Sequence, residues 1–219
     1  MRLRRPPTPP LILSLAGVHD RGNLGAIART ADALGVGAIL AANVGGGHVH
    51  GTRGRCSAGA EKWVDVTLHG STLDAIAAAR AAGFRIAVAA AGPHSVPVDE
   101  FDWETAPTAF IVGNEADGVS GAARAAADAE VQVPMAGFVD SLNVSVASAL
   151  IMQAALARLT RAGVTGALSS DEAATLAAIL LARHKASGRG AWREATVREL
   201  MERACGGAAV PPPMKGGQG

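Results

Sequence analysis

Short apolar runs alternate with amphipathic helical segments along most of this chain, and this alternation constrains its fold more than any other feature. The runs have the length of buried strands, and the segments between them repeat apolar residues at helical spacing. We predict strands at residues 11–17, 38–42, 63–68, 84–91, 108–112 and 131–134, and helices at 23–34, 71–82, 120–127 and 143–161. This order predicts an α/β fold with a parallel sheet covered by helices on both faces.

The ends of the strands are where a functional site is expected. In open parallel sheets, ligands bind beyond the carboxyl ends of the strands. The loops after Leu15, Ala91, Val112 and Val133 are therefore the first places to search.

Two serines precede predicted helices. Ser71 and Asp74 have the spacing of a capping box, in which the serine accepts a hydrogen bond from the backbone three residues later. Ser141 is predicted to cap the helix at 143–161 in a similar way.

The two ends of the chain differ in composition from its middle. The predicted segments are a flexible basic, proline-rich arm (1–10), an α/β domain (11–162), a short helical C-terminal extension (163–205) and a disordered tail (206–219). Within the extension we predict helices at 169–185 and 193–204.

Composition excludes some classes of protein. No apolar run reaches the roughly 18 residues that a membrane-spanning helix needs, so no membrane partner is expected. The two cysteines, Cys56 and Cys205, lie far apart and have no metal-ligand spacing, which favours a reduced, cytoplasmic setting. The formal net charge of +1 does not by itself indicate a nucleic-acid partner.

The first block with chemical potential is NLGAIART, residues 23–30. It places Asn23 and Arg29 six residues apart at the start of a predicted helix. A helix-capping asparagine and a solvent-facing arginine would explain the same pattern, so this block alone does not identify a site.

The second block is GNEADGVS, residues 113–120, directly after the apolar strand at 108–112. Gly113 would let the backbone turn sharply and approach a ligand closely. The carboxylate of Glu115 could accept hydrogen bonds from a ligand or hold a neighbouring loop. An ordinary strand-to-helix turn is the alternative.

The third block, VPMAGFVDSLNVSV at 133–146, is the most specific. Pro134 and Gly137 bracket a tight loop, and polar side chains from Asp140 to Ser145 cluster at one strand-loop-helix junction. Helix capping needs fewer polar groups than this, and exposed backbone N–H groups at such a junction can bind a small ligand.

Together, in this order, the three blocks resemble the SpoU (TrmH) branch of the SPOUT RNA methyltransferases, and the resemblance runs from about residue 11 to 161. Within the branch, SAGAEKWV at 57–64 and the SLNVSVASAL helix start look most like members that methylate the ribose of a D-loop guanosine in tRNA. The resemblance implies S-adenosylmethionine as cofactor, a homodimer, and a deep C-terminal trefoil knot, a rare exception to the usual chain connections.

The resemblance also implies roles for named residues. The adenosine part of the cofactor would contact the backbone around Ala89, Gly113, Val133, Met135 and Leu142. The functional polar positions of the family fall on Asn23, Arg29, Glu115, Ser141 and Asn143. No metal is required for this reaction.

Ribose methylation itself requires that the 2′-hydroxyl be held in line with the methyl group and that charge developing on its oxygen be stabilised. Arg29 suits the second task, since a guanidinium can clamp a phosphate beside an incipient alkoxide. The resemblance casts the same arginine as the base. Asn23 and Asn143 would orient Arg29 and the ribose, Glu115 would order the pocket, and Ser141 would bridge cofactor and substrate.

Basic residues are the candidate contacts to RNA phosphates. They are Arg21, Arg53, Arg55 and Lys62, with the segment 183–193 as a further basic stretch.

Three alternatives stay open from the sequence. A methyltransferase of the same branch could act on ribosomal RNA, although the separate RNA-binding domain of many such relatives is missing before residue 11. A non-catalytic RNA-binding module could keep the fold. A dinucleotide-dependent dehydrogenase is disfavoured because no G-x-G-x-x-G follows the first strand.

Overall fold

The computed structural model of the 219-residue chain describes residues 11–16, 21–42, 57, 59–114, 117–164 and 170–186. The chain divides into two compact units, and the larger one spans residues 6–166. No helix among the described residues has the length and apolar character needed to cross a membrane.

The described part of the larger unit contains a sheet of seven parallel strands in the order β3-β2-β1-β6-β4-β7-β5. The strands are β1 (Leu11–Ala16), β2 (Ala38–Ala42), β3 (Asp65–His69), β4 (Arg85–Ala89), β5 (Val96–Pro97), β6 (Thr108–Val112) and β7 (Ala129–Gln132). The predicted parallel α/β fold is confirmed.

Helices cover both faces of this sheet. They are α1 (Arg21–Leu34), α2 (Thr72–Ala81), α3 (Gly121–Ala125) and α4 (Val144–Arg161), with a short 3-10 helix at Ala60–Lys62. On one face α1 and α4 pack together over an apolar cluster that contains Trp103 and Phe110. On the other face α2 and α3 cover a second cluster built around Ile86 and Ile111.

The central strand β6 explains why the sheet needs both layers. All five of its residues are buried. Phe110 and Val112 enter the first cluster, while Ala109 and Ile111 enter the second, as the alternation of side chains along a strand requires. A strand of this kind is a continuous apolar run, which is what the sequence shows.

Two of the local predictions differ from the structure. The helix α4 is capped by Asn143, whose side chain accepts a hydrogen bond from the Ser145 N–H, so the prediction of Ser141 as the cap was wrong. Ser141 lies two residues too early, because the cap must directly precede the first helical residue. The strand β5 was not predicted, since two residues carry no periodicity and Pro97 argues against a strand except at an edge.

The Ser71 prediction is confirmed. Its hydroxyl oxygen accepts a hydrogen bond from the Asp74 N–H at 3.1 Å and caps α2.

In the second compact unit the structure describes one helix, α5 (Ser170–Ala186), close to the predicted helix at 169–185. The predicted arm, the helix at 193–204 and the tail lie outside the described residues.

Candidate functional site

A cavity of about 270 Å³ opens at the carboxyl ends of β4, β6 and β7. Its floor is apolar, with Val112, Val131, Val144 and Ile151 among the residues that line it. This is the edge of the sheet where the strand order predicts a ligand site.

The five residues that the family resemblance assigns to cofactor binding all line this one cavity. They come from the ends of β4, β6 and β7 and from the loop before α4: Ala89, Gly113, Val133, Met135 and Leu142. The structure therefore brings together residues that lie up to 53 positions apart along the chain.

Gly113 is required by close backbone packing. A Cβ built on Gly113 would lie 1.9 Å from the carbonyl carbon of Gly118 and 2.4 Å from the nitrogen of Val119. No side chain fits there, so the turn after β6 folds back directly over the strand end. Gly118 itself has φ of +66°, a conformation that favours glycine.

The turn from Asn114 to Gly118 is held by its own polar groups. The Gly118 N–H donates to the Asn114 carbonyl at 3.1 Å, and the Asn114 side-chain oxygen accepts from the Asp117 N–H at 2.7 Å. Asn114 and Gly118 both line the cavity. Glu115, one of the predicted functional residues, lies outside the described residues.

Asn143 joins the first and third sequence blocks. Its side-chain oxygen accepts hydrogen bonds from the N–H and the hydroxyl of Ser145 at 2.9 and 2.6 Å. Since a backbone N–H can only donate, the side-chain NH₂ must point the other way, and it donates to Asn23 Oδ1 at 3.2 Å. Two of the predicted polar residues, 120 positions apart, are therefore in direct contact.

Asn23 is the third residue of α1, so it does not cap that helix as the alternative explanation required. Arg29 lies six residues further along α1, which is about 9 Å along the helix axis and about 120° around it. Its side chain is exposed and does not line the cavity. The structure therefore places Arg29 on a different side of α1 from Asn23, and none of Asn23, Arg29 and Asn143 lines the cavity itself.

The remaining predicted residues have mixed outcomes. Ser141 is exposed and lines the cavity next to Asp140. Lys62 is partly buried at the end of the 3-10 helix, and Arg21 is the first residue of α1. Arg53 and Arg55 lie outside the described residues.

Sequence reasoning missed two polar residues that line the cavity, Asn114 and Gln132. Asn114 lies within a predicted block, and its position after the buried strand could have indicated its location. Gln132 ends β7, which lies between β4 and β5, and it gives no signal because a glutamine at a strand end is ordinary. Among the described residues there is no group of His, Cys, Asp and Glu side chains that could hold a metal ion.

An ion pair joins α3 and β7 near the cavity. Arg124 of α3 donates two hydrogen bonds to Glu130 of β7, at 2.9 and 2.8 Å. These bonds and the positive charge of Arg124 hold the pKa of Glu130 below its ordinary value, so its carboxylate is charged at neutral pH.

Comparison with known proteins gives a consistent result. Residues 10–153 match the family model described as the SpoU rRNA Methylase family. The tRNA (guanosine(18)-2′-O)-methyltransferase of Escherichia coli (strain K12) is 38% identical over 156 residues, which cover 71% of this chain and 67% of that protein. The Thermus thermophilus protein of the same name is 39% identical over 156 residues, which cover 71% of this chain and 79% of that protein. A Vibrio parahaemolyticus 23S rRNA (guanosine-2′-O-)-methyltransferase is 33% identical, covering 65% of this chain and 57% of that protein.

Solved structures agree. The Aquifex aeolicus TrmH/SpoU tRNA modifying enzyme superposes with a TM-score of 0.69 and 29% identity, covering 85% of this chain and 93% of that one. An AdoMet-bound rRNA methyltransferase from Sinorhizobium meliloti superposes with a TM-score of 0.64 and 29% identity, covering 73% and 61%. The chain belongs to the SpoU family and is an RNA 2′-O-methyltransferase that uses S-adenosylmethionine.

Proposed function

We propose that this enzyme methylates the ribose 2′-hydroxyl of a guanosine in the D-loop of tRNA, at position 18. The observation that carries the proposal is the contact between Asn143 and Asn23 beside the cavity, because it assembles two blocks of the family pattern into one polar site. Relatives named for guanosine 18 of tRNA match at 38 and 39% identity and support the choice of substrate.

The cavity fits the adenosine part of the cofactor. Its apolar floor suits a flat base, and Gly113 allows the turn after β6 to pack directly over the strand end that lines the cavity. S-adenosylmethionine, when bound, supplies a methyl group already activated by the positive charge on its sulfur. We assign its adenosine contacts to the backbone around Ala89, Gly113, Val133, Met135 and Leu142.

We assign the polar residues beside the cavity to binding and positioning the RNA. Asn143 is held rigidly, since its oxygen is fixed by the first turn of α4 while its NH₂ reaches Asn23. We propose that this pair orients the ribose, that Ser141 bridges cofactor and substrate, and that Glu115 orders the pocket. A rigid, preformed pair of this kind lowers the cost of aligning the hydroxyl with the methyl group.

Arg29 would supply positive charge to the reacting 2′-oxygen and its neighbouring phosphate. Because Arg29 is exposed and does not line the cavity of its own chain, we propose that it acts in a homodimer, where the active site lies near the subunit interface. Its position about 120° around α1 from Asn23 supports this arrangement.

Exposed apolar side chains support the dimer. Phe138 is fully exposed and Val139 is 64% exposed in the loop before α4, and Val146 and Leu150 are exposed one turn apart on α4. Large apolar groups gathered in this way are typical of a surface that another protein covers. We propose that a second copy of the chain covers them.

We also propose that the C-terminal part of the sheet forms the trefoil knot of the family. The strand β7 occupies the position between β4 and β5, so the chain leaves β7 beside the loop that joins those two strands, and this arrangement supports the proposal. Loops after β4, β6 and β7 then meet at one cavity, as a knotted cofactor pocket requires. We place the enzyme in the cytoplasm, in keeping with its two widely separated cysteines.

The second candidate substrate is ribosomal RNA, which the Vibrio parahaemolyticus relative supports at 33% identity. Purified protein incubated with labelled cofactor and separate tRNA and rRNA pools distinguishes the two. We expect label in tRNA, at guanosine 18 when mapped by mass spectrometry, and none in a tRNA that carries 2′-deoxyguanosine there. Label only in rRNA would overturn tRNA as the proposed substrate, while the assignment of ribose 2′-O-methylation would still hold.

A further inference from the structure

Three side chains from separate elements meet beside the loop that forms one wall of the cavity. Arg124 lies in α3, Glu130 in β7, and Ser95 at the end of the loop 90–95 between β4 and β5. We propose that these residues form a clamp that positions the loop 90–95 and thereby sets the affinity for S-adenosylmethionine. The inference rests on the proposed assignment of the cavity to this cofactor.

The base of the clamp is a two-point ion pair. Arg124 Nε and Nη2 donate to the two carboxylate oxygens of Glu130, and this geometry fixes the orientation of both side chains. Glu130 is 24% exposed and Arg124 is 40% exposed, so the pair is partly screened by water. We therefore expect the ion pair to hold the loop in position while adding little to the stability of the fold.

Ser95 lies between the ion pair and the cavity wall. Its hydroxyl donates to the Ala90 carbonyl at 2.6 Å, and the hydroxyl oxygen lies 3.3 Å from Glu130 Oε2. A hydroxyl has one proton, so the shorter bond to Ala90 takes it and the carboxylate is its alternative partner. Ala90 lines the cavity, which puts the clamp one hydrogen bond away from the wall.

Three other hydrogen bonds hold the loop among the described residues, and one of them is internal, from the Ser95 N–H to the Gly92 carbonyl at 3.1 Å. Ala90 donates its N–H to the Val131 carbonyl at 3.0 Å, and Gln132 Nε2 donates to the Ser95 carbonyl at 3.4 Å. At Gly92 a Cβ would meet Arg124 and Glu130 only at ordinary contact distances of 3.5 and 3.6 Å, so the loop rests against the ion pair without crowding. Removing the clamp would leave the first half of the loop joined to the sheet by one backbone hydrogen bond among the described residues, from the Ala90 N–H to the Val131 carbonyl.

A loosened loop would have to be ordered when the cofactor binds, and this ordering reduces affinity. The clamp contacts neither Asn143 nor Asn23, so alignment of the ribose should be unaffected. We therefore expect the effect in the Kd and KM for S-adenosylmethionine, with kcat nearly unchanged.

The test is calorimetric titration of the full chain with S-adenosylmethionine, together with steady-state methylation of tRNA. We expect Glu130→Ala and Arg124→Ala each to raise Kd and KM about two- to tenfold, the range for one lost hydrogen bond, with kcat within about twofold of wild type. The double variant should be no weaker than either single one, because both remove the same pair. Ser95→Ala should raise Kd similarly while leaving the ion pair in place.

Glu104→Ala is the matched control. It breaks the Arg158–Glu104 ion pair, which has a 3.0 Å contact and similar exposure, and neither of these residues lines the cavity. A loss of thermal stability without a change in Kd is expected there. If the clamp variants bind the cofactor as tightly as wild type, or if Glu104→Ala weakens binding equally, the clamp is refuted. If wild-type protein takes up no cofactor, the assignment of the cavity and the clamp fail together. If Glu130→Ala does not fold, Ser95→Ala tests the clamp instead: a raised Kd for S-adenosylmethionine supports it, and an unchanged Kd refutes it.

Discussion

Replacing Gly113 with alanine would place a methyl group inside the backbone of the turn that follows β6. The new carbon would lie 1.9 Å from the Gly118 carbonyl carbon, 2.2 Å from its oxygen and 2.4 Å from the Val119 nitrogen. These are backbone atoms, so no side chain can rotate away. The turn must separate from the strand end by about 1.5 Å to reach an ordinary contact distance.

Overpacking of this kind costs about 1–3 kcal/mol, and the absence of a flexible neighbour puts Gly113→Ala at about 3 kcal/mol. For a domain of this size the melting temperature should fall by about 6–12 °C. Because Asn114 and Gly118 line the cavity, the displaced turn should also weaken S-adenosylmethionine binding by at least about tenfold.

Two other glycines make the experiment specific. Gly121, the first residue of α3, has no atom within 4 Å of the position that a new methyl group would occupy, so Gly121→Ala should leave stability unchanged or raise it by up to about 1 kcal/mol. Gly118→Ala has open space but φ of +66°, and it should cost about 1–2 kcal/mol through backbone strain alone. Scanning calorimetry and titration with the cofactor measure both effects. Equal melting temperatures and affinities for Gly113→Ala and Gly121→Ala would refute the reasoning.

Three further substitutions test the polar residues. Arg29→Ala should abolish methyl transfer and leave cofactor affinity nearly intact, and full activity in tRNA methylation would contradict its role. Asn143→Asp keeps an oxygen for the Ser145 N–H but removes the donor to Asn23, so we expect a loss of kcat of about tenfold or more with little change in melting temperature. Burial alone raises the pKa of Asp128, but hydrogen bonds from the Ile86 N–H and Arg80 outweigh it and lower that pKa below 3.8. Because Asp128 and Arg80 are 36% and 45% exposed, water screens the pair, and Asp128→Asn should be less stable than wild type by less than about 1 kcal/mol at pH 7. The difference should shrink below about pH 4 as the wild-type carboxylate is protonated. A difference that stays constant in denaturation curves down to pH 3 would count against this.

Much of the fold was predictable because its signals are local. The buried strand β6 is a continuous apolar run, and the Ser71 cap needs only residues three positions apart. The predictions that failed concern features that depend on contacts between distant parts of the chain or on a choice between neighbouring polar residues. The strand β5 exists because β7 lies beside it, and its two residues contain no pattern of their own. The true cap of α4 is Asn143, two residues after the predicted Ser141. Both lie in a stretch of polar side chains from Asp140 to Ser145, so the sequence alone does not show which one is the cap.

Several of the residues that line the cavity could be predicted from the sequence, but the contacts between them could not. Family resemblance selected five cavity residues that the structure brings together, but it did not indicate that Gly113 faces the backbone of Gly118. The Arg124–Glu130 pair is likewise invisible in the sequence. It depends on how α3 leads into β7, and a spacing of six residues has no fixed meaning outside a regular element.

In each of the three sequence blocks, a residue that we assign to the site is the direct neighbour of a buried apolar residue. Asn23 precedes Leu24, Gly113 follows Val112, and Asn143 precedes Val144. Those three apolar residues are 1–5% exposed and belong to the same core cluster, under α1 and α4. The blocks are therefore anchored in the core, and each one alone could be explained as ordinary capping or turn structure. Because the three apolar residues belong to one core cluster, the residues beside them are held in fixed relative positions. The distance between Asn23 and Asn143 then depends on packing within that core.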